Sequence, residues 1–148
     1  IEDKPVSGAG TSSAGLVYEH EKGFNDDASA MENVYIESAD IDLAEGESFM
    51  FIKKLLPDLK FDVLLGVSNT PAINVVVKKR NYNSETLSTA STNQITNATT
   101  FASLRARARQ LVLRFESDDD QSIEANNKDF RWRVGNTRLE VQPSGRRG

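Results

Sequence analysis

Between residues 101 and 117 the chain reads with a period of two: Arg105, Arg107, Arg109, Leu111, Leu113 and Phe115 fall on alternate positions. Successive side chains of an extended backbone point to opposite faces, so one strand over residues 104–117 would carry all six on one face. That face is charged at one end and apolar at the other. An unpaired charge is costly to bury, so the arginines are expected to point outward to a partner. The alanine-rich start makes a helix the competing assignment, but Leu111, Val112, Leu113 and Phe115 favour extended structure.

The same strand-forming character recurs along the chain. Residues 14–19 contain the apolar cluster Leu16, Val17, Tyr18; residues 34–38 are β-branched and aromatic; residues 40–43 alternate polar with apolar. The second and third of these can form one bent strand. Residues 48–56 place Phe49 and Phe51 on one parity and Met50 and Ile52 on the other, a strand expected to be covered on both faces. Pro57 should end it, because proline has no N–H to donate. Residues 61–67 form a further apolar run, and residues 73–79 hold three consecutive valines, which favour strand over helix. Residues 83–100 are dominated by Ser, Thr and Asn and predict a long loop. Residues 118–129 read as a polar excursion. Residues 130–134 and 138–142 flank Gly135-Asn136-Thr137 and read as a β-hairpin. No segment keeps a helical period. The predicted fold is an all-β antiparallel sandwich of about eight to ten short strands.

At 148 residues the chain suits one domain able to bury roughly 70% of its unfolded surface. Residues 1–13, rich in Gly, Ser and Pro, read as a linker or arm, and residues 14–148 as the sandwich. The chain opens on Ile1 without methionine, which reads as a processed protein or, the preferred expectation, a piece of a longer polypeptide. No apolar run approaches the roughly 20 residues of a membrane span, and no signal peptide is apparent. There is no cysteine, hence no disulfide or thiolate metal site. The net charge of −4 is uneven: residues 1–50 hold twelve acids and two lysines, whereas residues 101–148 hold ten Lys+Arg and seven acids. This asymmetry would let one copy's acidic surface meet another's basic one, although a solvated surface is the simpler account.

Catalytic constellations are scarce. His20, the single histidine, lies in Tyr18-Glu19-His20-Glu21 with no identifiable nucleophile or second imidazole, and reads as a hydrogen-bonding strand-edge residue. Walker, GxGxxG and GxSxG motifs are missing. Asp118-Asp119-Asp120 lacks the alternating spacing of an EF-hand calcium loop and, like Asp26-Asp27, reads as a solvated turn. The expectation is no enzyme, no cofactor and no metal. Clustered arginines invite contact with DNA phosphates, but the acidic domain and its sparse aromatics make that secondary. Trp132, between Arg131 and Arg133, reads as a core anchor with the arginines on the opposite face. Trp132 and Tyr82 are the candidates for stacking on a glycan, the alternative function of such a module in host attachment.

An ordered set of segments resembles a known family. Tyr18-Glu19-His20-Glu21 with Gly23, then residues 36–43 (IESADIDL) with Gly46, then residues 51–58 (FIKKLLPD) are similar to the C-terminal part of large tailed-bacteriophage virion proteins. So are residues 105–110 (RARARQ), Trp132-Arg133-Val134-Gly135 with Arg138, and the closing Gly145-Arg146-Arg147, although Val134 and Asn136 stand where the family pattern has leucine and aspartate. The resemblance implies a β-rich structural component of a short-tailed phage, of the tail tubular, nozzle or head-to-tail stabilisation class. It also implies a virion protein made in the bacterial host's cytoplasm, assembling as a ring around the DNA exit channel with copies of itself and neighbouring tail proteins. The expected subunit-contact residues are Arg105, Arg107, Arg109, Arg146 and Arg147.

Overall fold

A computed structural model of the chain describes residues 6–9, 16–19, 34–43, 45, 47–63, 70–117 and 130–146. Among them run twelve strands and no helix: β1 (Val6–Ala9), β2 (Leu16–Glu19), β3 (Tyr35–Glu37), β4 (Ile41–Asp42), β5 (Ser48–Leu56), β6 (Leu59–Val63), β7 (Ala72–Arg80), β8 (Ser88–Thr96), β9 (Ala102–Ala108), β10 (Gln110–Ser117), β11 (Phe130–Val134) and β12 (Arg138–Arg146). Every ladder is antiparallel. One sheet has the order β3-β10-β7-β8 with β4 also on β10, a second the order β12-β5-β9, and β11-β6 and β1-β2 form two-stranded ribbons. The fold is all-β and sandwich-like. Its core joins Met50, Ile52 and Leu55 of β5 with Val75 and Val77 of β7, Ile95 of β8, Leu104 of β9, Leu111 and Leu113 of β10, and Phe130 of β11.

The arginine-alternating segment is not one strand. It divides at Arg109 into β9 and β10, which belong to different sheets. In β9 the even positions Ala102, Leu104, Ala106 and Ala108 are buried and Arg105 and Arg107 face outward; in β10 the odd positions Leu111, Leu113 and Phe115 join the core. The sandwich wall changes as the chain crosses from sheet to sheet, so the inward parity inverts. The small alanines in β9 let that strand lie close over the core, which is filled by longer side chains from β5, β7 and β10. Val112 on β10 and Val76 on β7 are also buried, so those two central strands are covered on both faces.

A second departure concerns residues 130–142. β11 and β12 do not form a hairpin: β11 pairs with β6 and β12 with β5. Leu56 lies opposite Arg138 and Leu59 opposite Val134, so both chains run on through a shared bend. At the bend the Gly135 N–H donates to the Asp58 carbonyl at 2.7 Å, and the Asn136 N–H donates to Asp58 Oδ2 at 2.8 Å. A Cβ on Gly135 would lie 2.8 Å from Asp58 Cγ, so the glycine leaves room for the carboxyl that caps the turn. β5 ends at Leu56, before Pro57, as its missing N–H requires.

Two segments read as irregular are ordered into strands. β8 lies within the expected 83–100 loop; it is a sheet edge whose exposed positions are Ser88, Thr89, Thr92 and Gln94, anchored by fully buried Ile95. Threonine suits a strand as well as valine does when its face is solvated. β1 lies within the expected 1–13 arm, with Val6 opposite Glu19 and Ala9 opposite Leu16 on β2; backbone pairing alone needs no apolar period. The strands β3 and β4 are separate but pair with the same neighbour, β10.

Candidate functional site

The second sheet carries an irregularity that organises its outer face. Between the pairs Ile52–Ala106 and Lys54–Ser103, β5 has one residue and β9 has two; between Ile52–Val141 and Lys54–Glu140, β12 has none. The mismatch is a β-bulge, and it holds Arg105 at φ 48°. A left-handed non-glycine residue costs about 1–2 kcal/mol. The same step shifts the buried parity of β5 from Met50 and Ile52 to Leu55. Phe49 and Phe51 are left half-buried on the outer side. The layer expected over Phe49 is supplied by arginine side chains.

Arg107 and Arg109 are held within the domain. Arg107 Nε donates to Ser144 Oγ at 2.8 Å and Nη2 to the Ser144 carbonyl at 2.9 Å, with the guanidinium 4.3 Å from the Phe49 ring centre. Arg109, at the crossing between sheets, lies 5.2 Å from the Phe49 ring centre and 5.5 Å from that of Tyr82. These planar cations stack on π-faces. The partner required by the alternating arginines is thus, for Arg107, the chain itself, whereas Arg109 meets only ring faces among the described residues. Arg105 differs: it is exposed, with no ion pair among the described residues. It borders a surface depression of about 240 Å³ with Phe51, Lys53, Lys54 and Ser103. Lys54 approaches Glu140 at 3.9 Å and the Phe101 ring at 5.4 Å. Arg146 pairs with Ser48 through its backbone, and Arg147 lies outside the described residues.

Several other surface charges are paired. Glu37 on β3 meets Lys78 Nζ at 2.5 Å and Arg114 Nη1 at 3.8 Å, Arg114 Nε reaches Glu116 at 2.5 Å, and the same guanidinium lies 3.7 Å from the Tyr35 ring centre. On the β11-β6 ribbon Asp62 accepts from Arg131 Nε at 3.2 Å and Arg133 Nη2 at 2.9 Å. The Arg131 hydrogen bond leads in holding the Asp62 carboxyl below its ordinary value; desolvation opposes it, and Arg133 adds to the lowering. A carboxyl whose folded pKa is lowered contributes stability that is fully present above the unfolded pKa and is lost as pH falls through the folded value. Asp62→Asn should therefore flatten the acid limb of a stability curve, measured by thermal melts from about pH 2 to pH 7, while leaving the slope above about pH 5 unchanged.

Trp132 is half-buried against the core, with Arg131 and Arg133 exposed on the opposite face, and its indole N–H donates to Ser117 Oγ at 3.0 Å. Tyr82 is 54% exposed in the connection after β7. It lines a different feature, a cleft of about 400 Å³ with Glu45, Asn83 and Arg109. The structure does not bring the two stacking candidates into one pocket among the described residues. His20, Asp26-Asp27 and Asp118-Asp119-Asp120 lie outside those residues. Among the described residues no group of three or more His, Asp or Glu side chains could hold a metal ion, and no helix is long and apolar enough to cross a membrane. No protein-family model and no curated protein sequence matches the chain.

Sequence reading singled out the arginines but not Lys53, Lys54 and Glu45, which complete these two features. The two lysines are adjacent in Lys53-Lys54, a visible signal. Their meeting with Arg105 depends on a bulge that no local pattern announces.

Proposed function

We propose that this chain is a non-catalytic assembly domain of a phage tail, a sandwich module that packs against acidic surfaces of neighbouring copies or tail proteins. The observation that carries the reading is the cationic depression of Lys53, Lys54 and Arg105 around Phe51. Glycine would occupy the left-handed bulge position without the steric cost, so what arginine adds at position 105 is its side chain. The Arg105 guanidinium and the Lys53 ammonium, beside a Lys54 shared with Glu140, suit a carboxylate presented by another surface through charge-assisted hydrogen bonds. Leu56 and Phe101, exposed at the end of the same sheet, supply apolar area for such a contact. The excess of acids in residues 1–50 gives copies of this chain the complementary charge. A contact between two unlike patches repeats around a closed ring. The ordered likeness to tailed-phage virion proteins supports the tail assignment.

The test separates charge from fold. Arg105→Gly removes the cation and relieves the backbone, so the melting transition should persist while assembly weakens. Lys53→Glu with Arg105→Glu should abolish ring formation in sedimentation velocity and cryo-microscopy of the protein with its tail neighbours. Rings that form unchanged with the doubly reversed variant would overturn the reading.

A further inference from the structure

The second feature, the 400 Å³ cleft, is independent of the proposed assembly face. Its volume lies within the range of small-ligand pockets, about 300–1,000 Å³. Its lining comes from three separate parts of the chain: Glu45 before β5, Asn81 to Ser84 after β7, and Arg109 with Gln110 at the sheet crossing. Glu45 is the other left-handed non-glycine residue among those described, at φ 54°. Residues held in sparsely populated backbone regions gather at binding sites, where the surrounding structure over-determines them.

Hydrogen bonds brace the walls of the cleft. Arg80 fixes two of its walls: Nε donates to Gln110 Oε1 at 2.8 Å, Nη1 to the Asn83 carbonyl at 3.3 Å, and Nη2 to the Asp40 carboxylate. Glu85 closes the turn, its carboxylate accepting the Asn81 N–H at 2.7 Å and its own N–H donating to the Tyr82 carbonyl at 2.9 Å. The Tyr82 ring is thereby carried on a braced turn with half its surface open. Arg109 is left incomplete: its buried Nε has no hydrogen-bond partner. Neither Arg109 nor Glu45 forms an ion pair among the described residues.

We infer that this cleft binds a neutral pyranose sugar. Each hydroxyl of a sugar both donates and accepts, so its site needs both kinds of group within reach. Arg109 offers donors only, Glu45 acceptors only, and the Asn81 and Asn83 amides and the Ser84 hydroxyl both. The C–H face of a pyranose needs an apolar plate, and Tyr82 provides one. One guanidinium and one carboxylate leave the lining without net charge, which suits an uncharged ligand: an acidic sugar would meet Glu45 and a basic one Arg109. Trp132, with its indole N–H engaged by Ser117, takes no part.

The experiment is a titration of the ¹⁵N-labelled chain with the methyl glycosides of glucose, galactose, mannose and N-acetylglucosamine, with glucuronate as the charged comparison. Saturable shifts are expected with at least one neutral glycoside, centred on Asn81 to Ser84 and on Arg109 and Gln110. Tyr82→Ala should weaken that binding about tenfold or more, while Tyr82→Phe, which keeps the ring, should retain it. Tyr82 is exposed, so both variants should keep the parent spectrum away from the cleft. No saturable shift with any neutral glycoside, binding insensitive to Tyr82→Ala, or tighter binding of glucuronate would each overturn the inference. Assembly of the Tyr82→Ala protein should be normal, which separates this site from the cationic face.

Discussion

Replacing Ala108 by aspartate is expected to abolish the cooperative melting transition, whereas Arg107→Asp, one residue earlier, leaves a folded domain. Ala108 is fully buried and lies opposite Met50, also fully buried, in the β5–β9 ladder. No polar or charged residue is wholly buried among those described, and the new carboxylate would face the apolar Met50. Burying it charged is prohibitive; burying it protonated still leaves an unsatisfied polar group and excess volume in a packed space. Several kcal/mol lost from a typical stability of about 5–15 kcal/mol removes the native state or nearly so. Arg107 is exposed, and its substitution forfeits the Ser144 hydrogen bonds and the Phe49 contact, about 1–2 kcal/mol in all. Circular dichroism melts of the two variants decide the matter. If residues 104–117 formed one strand with its odd positions facing the core, the order of damage would be reversed.

That contrast marks the limit of period-two reading. The alternation of residues 104–117 was legible, and so was the strand character of β5, β7 and β10, because apolar β-branched runs bounded by Pro57 or by polar segments have few other uses. What alternation cannot distinguish is one long strand from two strands meeting at a sheet-to-sheet crossing. Both keep the same spacing, and only the position of the core tells them apart. The β11–β12 connection failed for a related reason. Gly135-Asn136-Thr137 resembles a hairpin loop, but β6 and β5 were available to pair with the two strands in register through a common bend, with Asp58 capping it. β8 was hidden by composition, since its edge position lets Ser and Thr take the solvated face. The candidate sites were half legible. Arg105, Arg109 and Tyr82 stand out from the sequence, but Lys53 shares a depression with Arg105 across a bulged ladder, and Glu45 shares a cleft with Arg109 through tertiary folding. Neither juxtaposition has a local signature.

Leu111→Ala should be a strongly damaging truncation on β10, and its size tests how the core is closed after the crossing. Leu111 is fully buried, is the second residue of β10, and pairs with Lys79 of β7 on one side and Ile41 of β4 on the other. With ladders on both sides, the backbone around it has little freedom to collapse into the space left by the lost side chain. Poorly relaxing leucine sites lie toward the upper end of the range of about 2–5 kcal/mol for large-to-small substitutions. In a domain of this size that lowers the melting temperature by about 10 °C or more. Leu56→Ala provides the comparison: Leu56 is 44% exposed at the end of β5, so its loss should cost about 1 kcal/mol or less. Urea titrations should give equal m-values for the two variants, because neither changes the surface exposed on unfolding appreciably. Equal destabilisation of both would mean that β10 does not enter the core at Leu111, and the inversion of parity at Arg109 would then have to be abandoned.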